Sequence, residues 1–170
     1  SFYICFNMNL FFVRHGETDS NKNSIYQGQE NDTEINDDGI WQSIITGIYF
    51  KKYYPSIDKI YCSPLKRAKK TATIISDILG INNIYNDKRI IQLKKGKISS
   101  ENSEIVENYK KDKNMFIDKI YFNRDDPIKI WKEYKNKTDD ILFEKYQVEK
   151  YKDNIGIFEE FMNDITSKKD

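Results

Sequence analysis

The sequence predicts an α/β fold, and three observations predict it. Residues 10–13 (LFFV) form an unbroken apolar run that ends abruptly in charge and glycine, as a buried strand of a parallel sheet does. Residues 57–62 (IDKIYC) read as a second, short strand, closed by Ser63 and Pro64. After each run comes a stretch with apolar residues at three- and four-residue spacing, the period of an amphipathic helix. Strand, helix, strand, helix is the order of an α/β domain.

Each element follows from its residues. Residues 19–38 are polar, contain Gly28 and read as a loop. Residues 39–54 read as a helix with Ile40, Ile44, Ile45, Ile48 and Tyr49 on its inner face, and Pro55 stops it. Ser63 stands at a cap position with Pro64 in the first turn, opening a helix to Leu79 that turns Ala68, Thr71, Ala72, Ile75, Ile78 and Leu79 inward. Gly80 ends that helix. Residues 83–85 are expected as a short strand. Beyond Arg89, residues 94–104 read as a polar loop and 107–122 as a helix. Residues 124–129 turn, 130–139 are left unassigned, and 153–165 form a final helix with Ile157, Phe158, Phe161, Met162 and Ile165 on one side.

The bulk properties exclude several classes. Of the 170 residues, 32% are charged, yet the signs nearly cancel at net +1, so nothing draws the chain to nucleic acid or to a membrane surface. No apolar run has membrane-spanning length, and the apolar start carries no basic leader or cleavage site. Cys5 and Cys62 make no disulfide scaffold, which favours a reducing, cytoplasmic setting. One histidine and two cysteines without ligand spacing give no metal site. Serine-elbow, P-loop and dinucleotide fingerprints are absent. The aromatic residues leave room for a homodimer but give it no address.

Chemistry concentrates where the strands end. Ligand sites of open α/β sheets lie beyond the carboxyl ends of strands, so Arg14-His15-Gly16 and residues 63–67 are expected to face one pocket. His15 is the chain's only histidine. A neutral imidazole is a nucleophile, and a backbone carbonyl on its second nitrogen fixes the tautomer. Arginine forks match the equatorial oxygens of a phosphoryl group, and Arg14 and Arg67 are placed to supply them. Gly16 would let the backbone approach a ligand closely. Asn21 and Gln27 offer further hydrogen bonds, Gly28 turns the loop back, and Tyr26 and Gln29 are candidates for the rest of a substrate.

RHGET at 14–18, together with Asn21, Gln27-Gly28, DTEINDDG at 32–39 and YCSPLKRAKKTA at 61–72, resembles the histidine phosphatase superfamily, which includes the cofactor-dependent phosphoglycerate mutases. The resemblance covers about the first half of the chain. It implies a three-layer α/β/α sandwich around a mostly parallel central sheet. It also implies that His15 accepts the phosphoryl group, with Arg14 and Arg67 clamping it and Asn21, Gln27, Gly28 and Ser63 binding substrate. The substrate would be a small phosphorylated molecule. A mutase would use 2,3-bisphosphoglycerate, and a phosphatase would pass the group to water.

Two departures temper that expectation. Counting back four residues from Gly96 places Gln92 where the family has a proton-donating glutamate, and an amide cannot donate an acidic proton; Glu101 and Glu104 are the alternatives. The family's second histidine, after a late strand, has no counterpart. Residues 1–170 are therefore expected to be one phosphoglycerate mutase-like domain without its carboxyl-terminal part. The rival expectation is a weak or inactive phosphate-binding module on the same scaffold.

Overall fold

Strands β1 (Ile60–Cys62) and β2 (Ile84–Asn86) pair in parallel, with Ile60 opposite Ile84, Tyr61 opposite Tyr85 and Cys62 opposite Asn86. A parallel pair needs a crossover, and helix α3 (Lys66–Leu79) supplies it. The computed structural model describes residues 9–99, 104–112, 140 and 142–167. In chain order the other described elements are α1 (Asp19–Lys22), α2 (Asp37–Tyr53), the 3₁₀ turns Lys88–Ile90 and Gly96–Ser99, helical residues 104–112 (α4) and 142–146 (α5), and α6 (Tyr151–Ser167).

Alternation along the strands sets the layers. Cys62 is buried on one side of β1. Tyr61 points to the other, where it stacks on Tyr85 at 5.2 Å and meets Phe161 of α6 edge-on at 5.6 Å. Helices thus flank a small parallel sheet in the expected α/β/α order. Arg89, just after β2, ties α6 down through ion pairs with Asp164 and Glu160 while its own position is set by Asp87. A second core lies beyond the sheet: Ile98, Tyr109, Leu142, Tyr146 and Val148, with Tyr26 and Ile105 against it.

Several expected details differ. Residues 10–13 pair with no strand among the described residues, and their side chains are 40–74% exposed. The run is apolar on both faces, and Phe11 packs its ring on those of Phe50 and Tyr54. Helix α2 buries the face opposite to the one its large residues indicate: Gly39, Ser43, Gly47 and Phe50 point inward, and Ile45, Ile48 and Tyr49 are exposed. The reason is approach distance. A Cβ on Gly47 would sit 2.8 Å from Ile78 Cδ1 of α3, so the two helices pack closely only along a small-residue face. The helix also begins earlier, because Asn36 caps it by accepting from Gly39 N at 2.9 Å. Helix α3 begins at Lys66 rather than Ser63. Its Leu65 cap has no side-chain bond, and Asp32 from the distant loop accepts from Lys66 N at 2.8 Å instead. Gly80 ends α3 in the left-handed region, φ 75°, as expected. The helix expected over 107–122 is observed from residue 104, and 113–122 lies outside the described residues, as do 124–139. No described helix is long and apolar enough to cross a membrane.

Candidate active site

The loop that follows residue 13 is bolted to the helices by side chains that accept its amides. Gly16 N donates to Thr71 Oγ1 of α3 at 2.9 Å, and Thr71 Oγ1 donates in turn to the Arg67 carbonyl. Glu17 N donates to Gln42 Oε1 of α2 at 2.9 Å. Gly16 and Gly39 cross at backbone contact: a Cβ on Gly16 would run into the Gly39 carbonyl, and one on Gly39 into Glu17. The missing side chain at Gly16 therefore serves the approach of α2.

That anchoring fixes His15. Its Nδ1 lies 2.8 Å from the Gly16 carbonyl, which can only accept, so Nδ1 carries the proton and Nε2 the lone pair. Burial lowers the imidazole pKa below its ordinary 6.5; the Gly16 carbonyl opposes this, and Arg67 and Arg14 reinforce it. The site thus favours the neutral form.

Arg67 is fully buried in the first turn of α3. Its Nη2 donates to the Gly28 carbonyl at 3.1 Å and to Gln92 Oε1 at 2.8 Å; Nη1 donates to the Asn31 carbonyl at 3.3 Å and lies 3.5 Å from Asp32 Oδ1. Its Nε is buried and meets no acceptor among the described residues. Burial lowers its pKa, and Asp32 opposes that shift. Gln92 Nε2 donates to the Gln27 carbonyl at 2.9 Å, so this amide joins Arg67 to the loop of residues 27–32.

Two cavities share the histidine. One, of about 520 Å³, is lined by Arg14, His15, Glu17, Asn21 and Gln42 among others. The second, of about 700 Å³, is lined by Arg14, His15, Asn21, Tyr26, Gln27, Gln92, Lys95 and Lys110 among others. The structure therefore brings together Arg14, His15, Asn21 and Gln27 around common space, with Arg67 acting on the histidine from the buried side. Gln27 reaches that space with its side-chain amide already engaged, accepting from Thr18 Oγ1 and donating to Thr33 Oγ1, both at 2.7 Å. Gly28 lies against residue 95, where a Cβ would meet Lys95 N at 2.7 Å. Ser63 lines neither cavity, and its Oγ lies 3.5 Å from Leu65 N. Tyr26 lines the second cavity and packs on Tyr109, whereas Gln29 turns away to Glu149. Glu104 lines neither cavity, and Glu101 is outside the described residues.

Sequence reasoning missed Thr18, Asp32, Gln42, Lys95 and Lys110. Thr18 is wholly buried, caps α1 and holds Gln27. Its place inside RHGET was the available signal. Asp32, Gln42 and Lys110 act across 25 or more residues, and no local pattern announces them. Among the described residues, no group of three or more His, Cys, Asp or Glu could hold a metal ion.

Comparison with known proteins agrees with this geometry. Over 66 residues the chain is 44% identical to a probable fructose-2,6-bisphosphatase of Danio rerio, covering 39% of this chain and 25% of that protein. Over 67 residues it is 49% identical to an uncharacterized phosphatase, PhoE, of Bacillus subtilis, covering 39% and 33%. Among solved structures, a mycobacterial glucosyl-3-phosphoglycerate phosphatase complexed with VO3 superposes with a TM-score of 0.53 at 26% identity, over 60% of this chain and 47% of that one. The chain thus spans a quarter to a half of the length of these relatives. Residues 10–144 match the model of the histidine phosphatase superfamily, branch 1, and the chain belongs to that superfamily.

Proposed function

We propose that the protein transfers a phosphoryl group from a small phosphorylated substrate to His15 Nε2 and from there to water. The observation that carries this reading is the Nδ1 bond to the Gly16 carbonyl, which leaves the Nε2 lone pair on the wall of two cavities. Nε2 would attack phosphorus as the ester P–O bond breaks, and the leaving oxygen would take a proton from water or an acid. Water would then attack the phosphohistidine and release phosphate. Arg14 would meet the equatorial oxygens from the open side; Arg67 lines neither cavity, and its Nε, a buried donor that meets no acceptor among the described residues, would gain one only from an oxyanion seated deeper than either. Water as the acceptor is favoured because the relatives above are named as phosphatases. The second cavity favours an acidic substrate: among the described residues Arg14, Lys95 and Lys110 line it and no carboxylate does, although Lys110 is already paired with Glu107 beside it.

The test is labelling with a ³²P-phosphomonoester followed by an alkaline quench. An acid-labile, alkali-stable label that disappears in His15→Asn supports the reading, and a label that survives His15→Asn refutes it. One observation favours a second reading, a phosphate-binding module without turnover: Gln92, which the resemblance sets where the family has its acid, is locked between Arg67 and Gln27. A rise in melting temperature with inorganic phosphate, without label or turnover, would favour it.

A further inference from the structure

The outward side of α2 is strongly apolar. Trp41 and Ile45 are each 64% exposed, Ile48 54%, Tyr49 50% and Tyr53 55%. Exposed large side chains scattered singly are ordinary, but five along one helix make a contiguous patch. With 3.6 residues per turn, Asp37, Ile45, Ile48 and Lys52 all fall within about 40° of Trp41 around the helix. On the same side as the apolar residues lie Asp37 and Asp38 of the acidic first turn and Lys52 of the basic last turn, with Lys51 at its flank.

The order of these residues matters more than their character. About a two-fold axis at Ile45, a second α2 running antiparallel sets Trp41 against Ile48 and Tyr49, and Asp37 and Asp38 against Lys51 and Lys52. Each of these contacts occurs twice, as an isologous interface requires. A parallel pairing would instead put like charges together at both ends. Aromatic residues in the middle and charges at the rim are the usual anatomy of such an interface. The existing surface pair, Lys22 with Asp38 at 3.5 Å, is exposed on both sides, so exchanging it costs little. We propose that this face of α2 binds a second copy of the same chain, the two helices crossing antiparallel at Ile45.

Sedimentation equilibrium of the 170-residue chain tests this directly. The expected result is a concentration-dependent species of twice 20.3 kDa. Ile45→Asp places two carboxylates on the axis and should weaken association about 100-fold or more, with the circular dichroism unchanged. Reversing the acidic end alone (Asp37→Lys with Asp38→Lys) should weaken it, and adding Lys51→Asp with Lys52→Asp in the same chain should restore it. Because reversed charges oppose the helix dipole, a second measurement avoids them: Ile45→Cys in a Cys5→Ser background should form a disulfide dimer faster than Tyr53→Cys does. A monomer at every concentration up to about 100 μM, where even weak micromolar pairing would register, overturns the proposal. So does a dimer indifferent to Ile45→Asp. A longer protein containing this chain, monomeric and with Trp41 shielded from a fluorescence quencher, overturns it too, because its own chain would then cover the face.

Discussion

Replacing Gln92 by glutamate should create a proton donor at the position that the family resemblance assigns to the acid. The amide is held at both ends: Oε1 accepts from Arg67 Nη2 at 2.8 Å, and Nε2 donates to the Gln27 carbonyl at 2.9 Å. A glutamate in the same rotamer keeps the first bond. At the second, only the protonated carboxyl can donate, since an ionised one sets oxygen against oxygen. The Gln27 carbonyl thus favours the acid form and Arg67 the carboxylate, and only the acid form keeps both bonds, beside a cavity that His15 also lines. An aryl phosphate expels a stable phenolate and needs little help, whereas an alkyl phosphate needs its leaving oxygen protonated. General acid catalysis contributes about 10²–10⁴-fold, or about 3–5 kcal/mol. Gln92→Glu should therefore raise phosphate release from β-glycerophosphate by about 10²-fold or more and from p-nitrophenyl phosphate by less than about 3-fold. Initial rates on the two substrates with one enzyme preparation decide it. Equal gains on both, or no gain on the alkyl ester from a folded variant, would refute the reasoning.

The remaining predictions concern the histidine and its supports. Because burial, Arg67 and Arg14 lower the His15 pKa despite the Gly16 carbonyl, the acid limb of His15 labelling should have its midpoint below pH 6.5, and Arg14→Gln should move it upward. The same shift bears on stability. The unfolded histidine binds its proton first, so this contribution is complete above pH 6.5 and is lost as pH falls from 6.5 to the folded value; urea midpoints should show that loss in the wild type and not in His15→Asn. Gly16→Ala drives a Cβ into the Gly39 carbonyl, which neither backbone can yield, and should cost about 1–3 kcal/mol by denaturant unfolding. Asp32→Ala removes the side-chain acceptor of Lys66 N at the start of α3 and should lower stability by about 1 kcal/mol without moving the acid limb.

What the sequence made legible was local. The Gly80 stop and the crossover between β1 and β2 each depend on residues within one element or on its period; the expected side of α6 holds in part, with Phe161 buried against Tyr61 but Ile157 and Phe158 exposed. The inner face of α2 was misread because a hydrophobic pattern reports which residues avoid water, not which faces can approach. Gly39, Ser43 and Gly47 carry little hydrophobicity, yet they alone allow the contact with α3 and with the loop after His15. The large residues left outside are the patch at which a second copy is proposed to bind. Residues 10–13 show the converse. Their composition suits a buried strand, but a strand is defined by its neighbours, and the described residues place none beside them.

The site divides along the same line. Arg14 and His15 line both cavities, and the Nδ1 bond to a backbone carbonyl is the tautomer control that a nucleophilic imidazole needs. Arg67 could be located from its helix but not understood from it. Three carbonyl or amide oxygens and one carboxylate converge on its terminal nitrogens from residues 28, 31, 32 and 92, each at least 25 positions away. A guanidinium so occupied holds the 27–32 loop before any ligand arrives. Only Nε is left, and a lysine has no equivalent of it: one ammonium cannot both satisfy four acceptors and present a further donor. Arg67→Lys should then separate the two duties. The loop would lose its bridge to Gln92, seen as faster amide exchange at residues 27–32, and phosphate would stabilise the variant less than the wild type. If exchange quickens while phosphate stabilisation stays intact, Arg67 holds the loop and does not touch the anion.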